Sequence, residues 1–158
     1  MAEIRIGTSG RHYKHWIGRY YPERLPSSKM LGSCQLDFDT VEINNTFYRL
    51  PPPRAVKEWR DSTRPNFIFA AKGSRFLTYI KKLKDPERLA HFLDALPRHH
   101  RYAFEFRNPT WNTPEILQLL RCRNVAYCAF DLAGYQSPVE ITADFTYLRL
   151  HGPGGKYQ

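Results

Sequence analysis

Short strand-like segments alternate with helix-like segments along this chain, and that order restricts the fold more than any other feature. The strand-like segments are residues 4–7, 40–43, 67–72, 102–107, 125–130 and 145–151. The helix-like segments are residues 27–36, 55–59, 85–96 and 113–120. Strands separated by helices are typical of parallel sheets, because a parallel connection has to cross over the sheet. The sequence therefore predicts an α/β fold with a parallel sheet, in one domain over residues 1–158.

Composition excludes a disordered chain and a membrane-embedded one. Of the 158 residues, 42% are hydrophobic and 15% are aromatic, which is enough to form one core. No apolar run approaches the length of a membrane span, and the first strand begins close to Met1, which predicts no signal peptide. Cys34, Cys122 and Cys128 lack metal-type spacing, so we expect free thiols in a reducing cytoplasm, with packing roles for Cys122 and Cys128.

The strand at residues 40–43 shows how the predicted strands end. Val41 and Ile43 alternate with polar residues, and Glu42 precedes the amides of Asn44 and Asn45. Open α/β sheets and α/β barrels carry their chemistry at the carboxyl ends of their strands. The same pattern also fits a capped strand end in which asparagine is chosen for its turn geometry.

Polar side chains recur near the carboxyl ends of all six predicted strands. They are Ser9, Glu42, Asn44, Asn45, Lys72, Arg75, Glu105, Arg107, Asp131, Arg149 and His151. In a parallel barrel these ends meet on one face, so we expect a shared pocket there. Glu42 or Glu105 would act as a base, with His151 as an acid or hydrogen-bond donor. Lys72, Arg107 and Arg149 would hold an anionic group.

The segment 102–107 favours a barrel over an open sheet. Its three aromatic residues share one face, and Ala103, Glu105 and Arg107 share the other, as when bulky residues meet outer helices and small or polar ones face the interior. Structural alternatives remain, because Glu105 and Arg107 also suit an ion pair at the barrel mouth, and His151 suits a hydrogen-bonded residue before a glycine turn. Carboxylates and a histidine could bind a divalent ion, but we assign no metal site, and the cofactor stays unknown.

The positive charge of the chain is concentrated in one region. Eleven basic and four acidic residues lie between Arg49 and Arg88, so this region supplies +7 of the net charge of +9. Such an excess favours a nucleic acid or another polyanion as a partner. A solvated basic helix face explains the charge equally well, since no common nucleic-acid-binding motif accompanies it.

Four longer motifs are similar to those of the DUF72 (YecE-like) family. They are IRIGTSG at 4–10, DTVEINNTFYRLP at 39–51, FEFRNPTW at 104–111 and YLRLHGP at 147–153. The resemblance implies a TIM-barrel-like fold without an established activity. It also implies that the motif residues here are Glu42, Asn44, Asn45, Tyr48, Lys72, Glu105, Arg107, Arg149 and His151.

The chain departs from the family pattern in three ways. Arg11 stands where the family usually has an aromatic residue, which predicts a different wall for the pocket. An additional strand usual before residue 102 is missing, as are the helix and strand usual after residue 157. A complete barrel takes ~250 residues and eight strands, so six strands predict an incomplete barrel with two open edges. A homo-oligomer would cover those edges, and a shortened, inactive family member is the further alternative.

Overall fold

The computed structural model describes residues 3–73 and 86–152. Its strands form one sheet in each half of the chain. The halves are two compact units, Met1–Lys82 and Leu83–Gln158. Each unit combines its sheet with two α-helices in the described residues. The chain is thus a mixed α/β protein, as its sequence predicts.

The first unit contains a parallel three-stranded sheet in the order β1-β2-β3. The crossovers between these strands contain the two helices, as parallel pairing requires. The elements are β1 (Gly7–Thr8), α1 (Met30–Asp37), β2 (Thr40–Ile43), α2 (Pro53–Asp61) and β3 (Ile68–Ala71).

The core of the first unit follows from the period of two in β2. Val41 and Ile43 are buried on the same face and cluster with Leu31 of α1 and with Phe67. Burying a side chain of this size contributes roughly 1.5–3 kcal/mol. The alternation directs Glu42 to the opposite face of the sheet, away from the hydrophobic cluster.

Gly7 allows the close approach of β1 to β2. It pairs with Thr40, and a Cβ atom at this position would lie well inside van der Waals contact with the backbone carbonyl of Thr40. The nearest atoms are the carbonyl oxygen, the carbonyl carbon and the Cγ2 of Thr40, and rotation of the threonine side chain would move only the last of these. A residue without a side chain is therefore needed here.

The second unit is organised around the long strand β5. Strands β4 and β7 both pair with β5 in parallel, whereas β6 pairs with it antiparallel in a hairpin. The elements are α3 (Pro86–Asp94), β4 (Ala103–Phe104), α4 (Pro114–Arg121), β5 (Ala126–Leu132), β6 (Tyr135–Gln136) and β7 (Tyr147–Leu150).

Helices α3 and α4 cover one face of this sheet. Leu89 and Leu93 of α3 and Ile116 and Leu120 of α4 are buried, and they form one cluster with aromatic residues of the sheet. The start of α4 follows from its sequence, since the Thr113 hydroxyl accepts a hydrogen bond from the backbone N–H of Ile116 at 3.4 Å. The sequence predicted both helices, at residues 85–96 and 113–120. Asp85, whose position before Pro86 suits a helix cap, lies outside the described residues.

Three predictions about the second unit were wrong in detail. The segment 102–107 contributes only a two-residue ladder, and the 125–130 strand continues through Asp131 into the unpredicted β6 hairpin. The alternation of strands and helices fails between β6 and β7, where residues 137–146 contain no helix. Instead, the Thr142 hydroxyl accepts a hydrogen bond from Tyr127 N and donates one to Val125 O, each at 2.7 Å. Side-chain hydrogen bonds thus bind this crossover to β5.

The outermost strand β7 exposes apolar side chains. Leu148 and Leu150 are both exposed, and within the described ranges β7 pairs with β5 alone. The preceding crossover, residues 137–146, contributes no helix that could cover this strand. A homo-oligomer that covers the edge stays a prediction.

The described residues contain no closed barrel. The third predicted strand is also less buried than its apolar sequence suggested, since Ile68 and Ala71 at its ends are exposed. None of the helices seen in residues 3–73 and 86–152 combines the length and the apolar content needed to cross a bilayer.

Candidate functional site

In the second unit, charged side chains gather at the carboxyl ends of β4 and β7, the two strands that flank β5. Glu105 directly follows β4, and His151 directly follows β7, which contains Arg149. Arg149 pairs with Phe130 in the ladder, so Asp131 and Leu150, the next pair, point to the opposite face. Asp131 was predicted to share the site, but the register directs it to the other face, where its carboxylate accepts a hydrogen bond from Gln136 at 3.2 Å.

Glu105 is held by two arginines, one on each carboxylate oxygen. Arg107 Nε donates to Oε1 at 2.7 Å, and Arg149 Nη1 donates to Oε2. The side chains of Glu105 and Arg149 are only 14% and 11% exposed, whereas that of Arg107 is 55% exposed. The carboxylate is therefore a shared counter-ion for one inner and one outer guanidinium.

His151 lies beside this ion pair. Its Nε2 is 3.9 Å from Glu105 Oε2, and its side chain is 5% exposed. That distance is too long for a hydrogen bond between the two side chains. The backbone N–H of His151 donates to Asp131 O at 3.0 Å, which continues the β5–β7 ladder and fixes its position.

The two arginines determine the charge state of Glu105. Burial alone would raise the pKa of its carboxyl group, but the hydrogen bond from Arg107 and the charge and hydrogen bond of Arg149 outweigh burial and lower this pKa below its ordinary value. Glu105 is therefore ionised at neutral pH and is a weak proton acceptor.

In the first unit, the loop after β1 is tied to the end of β2. Asn44 Nδ2 donates to Ser9 O at 2.9 Å, and the Tyr13 hydroxyl donates to the same carbonyl. Gly10 follows with φ +109°, a left-handed conformation that glycine adopts readily. Glu42 is 8% exposed on β2. Sequence reasoning missed Tyr13, which has no spacing signal because its contact depends on the loop path.

Thr46 connects the carboxyl ends of β2 and β3. Its buried hydroxyl lies 2.7 Å from Ile43 O and 2.8 Å from Lys72 O and can donate to either carbonyl. Lys72 Nζ lies 5.1 Å from the centroid of the Phe47 ring, and the neighbouring Tyr48 is 72% exposed. Asn45 is exposed as well. Sequence reasoning missed Thr46, although a threonine three residues after a strand end suits a side-chain-to-backbone turn.

The remaining positions that the sequence singled out are Arg75 and Arg11. Arg75 falls outside the described residues. The Arg11 guanidinium lies 5.7 Å from the centroid of Trp59, which packs against the hydrophobic cluster of the first unit. Burial lowers the pKa of Arg11, and the nearby Cys34 thiol partly opposes that shift. An open groove along α1, lined by Leu25, Gly32 and Leu36, contains none of the predicted site residues.

Ion pairs neutralise part of the basic region between Arg49 and Arg88. Arg54, Arg60 and Arg64 pair with carboxylates at 2.7–2.9 Å. Arg49 and Lys57 have no ion-pair partner in the part of the chain that the structure describes. Among the described residues of this region, fewer cations are therefore left without a carboxylate partner than the sequence suggests. Arg75, Lys81, Lys82 and Lys84 are outside the described residues.

No group of three or more histidine, cysteine, aspartate or glutamate residues within the described ranges could hold a metal ion. Cys34 and Cys128 are buried, whereas Cys122 is exposed at the end of α4, contrary to the packing role predicted for it.

Comparison with known proteins gives a consistent family assignment. The family model described as "Protein of unknown function DUF72" matches residues 5–88 and 84–158. The UPF0759 protein YecE of Escherichia coli strain K12 is 29% identical over 46% of this chain and 39% of its own, and YecE of strain O157:H7 gives the same figures. The chain thus matches about two fifths of the length of these curated relatives.

Solved structures agree with that assignment. A DUF72 family protein from Thermotoga maritima is 26% identical, with a TM-score of 0.72 over 95% of this chain and 75% of its own. A DUF72 family protein from Enterococcus faecalis is 18% identical, with a TM-score of 0.62 over 94% of this chain and 70% of its own. The second likeness concerns the fold alone.

Proposed function

The chain belongs to the DUF72 family of proteins of unknown function, and from that premise we propose that it has an enzyme-type site at the carboxyl ends of its strands. The site binds a small anionic or sugar-like ligand and performs acid–base chemistry of the hydrolase, lyase or isomerase type. One observation supports this most directly: Glu105, Arg149 and His151 meet although they come from strands separated by β5. A carboxylate with a shifted pKa inside a largely buried cluster of ionisable side chains is typical of functional sites.

The sequence named Glu42, Glu105 and His151 as the catalytic candidates, and in this proposal Glu42 of the first unit and His151 of the second transfer protons. Imidazole is the side chain that most readily exchanges a proton near neutral pH, so His151 is the acid–base group of the second unit. Arg107 and Arg149 supply positive charge for an anionic group. In the first unit, the polar groups are Glu42, Ser9, Asn44, Asn45, Tyr48 and Lys72. The TIM-barrel-like arrangement and the single domain over residues 1–158 remain predictions from the sequence.

The proposal predicts that substrate turnover depends on His151 and Glu42. A thermal-shift screen of sugar phosphates, hydroxy acids and neutral sugars identifies stabilising compounds, which are then assayed for conversion by mass spectrometry. We expect His151→Gln and Glu42→Gln each to lower turnover by about 100-fold or more, because each variant removes a proton-transfer group.

His99→Gln is the matched control, since His99 is an exposed histidine of the same unit as His151. Urea denaturation of each variant separates lost chemistry from lost folding. Full turnover in both folded variants would contradict the proposal. No conversion of any stabilising compound by the wild-type chain would favour the shortened, inactive family member.

Binding of a nucleic acid or another polyanion is the second candidate function. It is favoured by Tyr48, which is 72% exposed next to Arg49, and by the absence of an ion-pair partner for Arg49 and Lys57 in the described residues. Exposed aromatic rings beside cations stack on the bases of single strands.

A salt titration tests this second candidate. If it is correct, log K for a single-stranded oligonucleotide falls linearly with log salt, and the double variant Arg49→Ala/Lys57→Ala reduces the slope by about 0.7 for each cation removed. Arg60→Ala is the control, because Asp61 already pairs with Arg60 at 2.9 Å. Binding that is absent, or that does not depend on salt, would exclude this function.

A further inference from the structure

Arg107, the more exposed of the two arginines beside Glu105, has terminal N–H groups that are available to a further ligand. Arg107 contacts Glu105 through Nε, at 2.7 Å, while its side chain is 55% exposed. Among the described residues, no hydrogen bond or ion pair involves its terminal Nη groups. A guanidinium held by Nε presents its terminal N–H groups as a fixed fork, which suits a planar or tetrahedral oxyanion.

Both carboxylate oxygens of Glu105 already have a hydrogen-bond partner. Each of its oxygens accepts a hydrogen bond from a different arginine, and the lowered pKa keeps it ionised at neutral pH. Protonation would remove the negative charge that both guanidinium groups contact, so the two arginines oppose uptake of a proton by this carboxylate. Its geometry suits holding cations in place better than abstracting protons.

The trio of Arg107, Arg149 and Glu105 has a net positive charge. Two guanidinium groups surround one carboxylate, so one positive charge is not compensated within the trio, and the exposed member is Arg107. Arg149 is only 11% exposed and is directed at Glu105. An incoming anion therefore meets Arg107 first.

We infer that Arg107 is an oxyanion-binding fork whose direction is set by Glu105, so that Glu105 is a positioning residue and not a base. This inference rests on the proposed function and narrows its ligand to a compound with a carboxylate or phosphate group. Both groups offer paired oxygens that match the fork.

The test is anion binding by the full chain. Inorganic phosphate and acetate are titrated separately at low ionic strength, and binding is followed by NMR of the arginine Nε–H groups. We expect saturable binding that is about tenfold weaker in Arg107→Lys, which keeps the charge but lacks the fork. Glu105→Gln should weaken binding severalfold, because the fork then loses its charged anchor. Arg121→Lys is the matched control, being a comparably exposed arginine that pairs with Glu140 in the same unit.

Each outcome has a defined meaning. Saturation by phosphate alone, by acetate alone or by both supports the fork and identifies its ligand. Unchanged binding in Arg107→Lys, or a loss confined to Arg149→Lys, overturns it. Unchanged binding in Glu105→Gln overturns the positioning role.

Once a substrate is known, enzyme kinetics test the same role. If Glu105 positions Arg107, Glu105→Gln raises KM while kcat keeps its pH profile. Loss of the acidic limb of that profile would show that Glu105 is a base.

The same experiments distinguish this inference from the proposed function. If the fork binds phosphate or acetate but no compound is converted, the proposed function fails and the fork stands. If a neutral sugar is converted and His151→Gln abolishes that conversion while neither anion binds, the fork fails and the proposed function stands.

Discussion

Replacing Glu105 with leucine should lower the free energy of unfolding at pH 7 by about 3 to 5 kcal/mol, the usual cost of breaking a buried ion pair. The reason is Arg149, which is 11% exposed and loses the carboxylate that accepts its hydrogen bond. Leucine fills a similar volume, so the loss is electrostatic and does not come from a cavity. Urea denaturation followed by circular dichroism measures it.

Glu140→Leu is the control for this prediction. Glu140 pairs with Arg121 at 3.0 Å, but their side chains are 34% and 42% exposed. Solvent-exposed pairs contribute at most about 1 kcal/mol, so this variant should be nearly neutral. Equal losses in the two variants would show that burial does not strengthen the Glu105 pair.

The pH dependence of the Glu105 contribution has a definite sign. Its folded-state pKa lies below the ordinary 4.5, so the stabilisation is fully present above about pH 4.5 and is lost as the pH falls through the folded-state value. The stability difference between wild type and Glu105→Gln should therefore be constant near neutrality and should shrink in acid. A difference that grew in acid would mean that the folded-state pKa is raised.

Gly7→Ala is expected to produce the second large effect, a loss of about 3 kcal/mol. The added methyl group would meet the backbone carbonyl of Thr40, so β1 must move away from β2 and weaken the ladder between them. Thermal and urea denaturation should both detect the change.

Gly32→Ala is the matched control for Gly7→Ala. Gly32 lies inside α1, and a Cβ atom there has nothing within 4 Å. Alanine favours a helix by about 1 kcal/mol over glycine, so Gly32→Ala should stabilise the protein. A neutral Gly7→Ala beside a stabilising Gly32→Ala would contradict the close approach of the first two strands.

Local signals in the sequence predicted the elements that depend on local physics. The alternation at residues 40–43 matches β2, and the capping residue and proline at 113–114 match the start of α4. The β6 hairpin was missed, because its turn residues Ala133 and Gly134 both have positive φ and alanine gives no turn signal. The crossover between β6 and β7, which contains no helix, was missed because it is held to β5 by a side chain. The Thr142 hydroxyl bonds to the backbone of Tyr127 and Val125.

The candidate site was predictable only in part, for a similar reason. Parallel strands bring their carboxyl ends to one edge, which predicted that Glu105 and Arg149 would be near each other. The face on which each side chain lies depends on register, and a shift of one residue reverses it, so the sequence could not exclude Asp131.

The attachment of β7 links the proposed chemistry to the folding of the second unit. This strand joins β5 through four paired residues and follows a crossover without a helix; it contains Arg149 and is directly followed by His151. If the strand detached, it would remove an inner cation and an imidazole from Glu105 in a single step. Any anion that gains affinity from those two groups would in turn oppose such detachment, so ligand occupancy and the local opening of this edge are thermodynamically coupled.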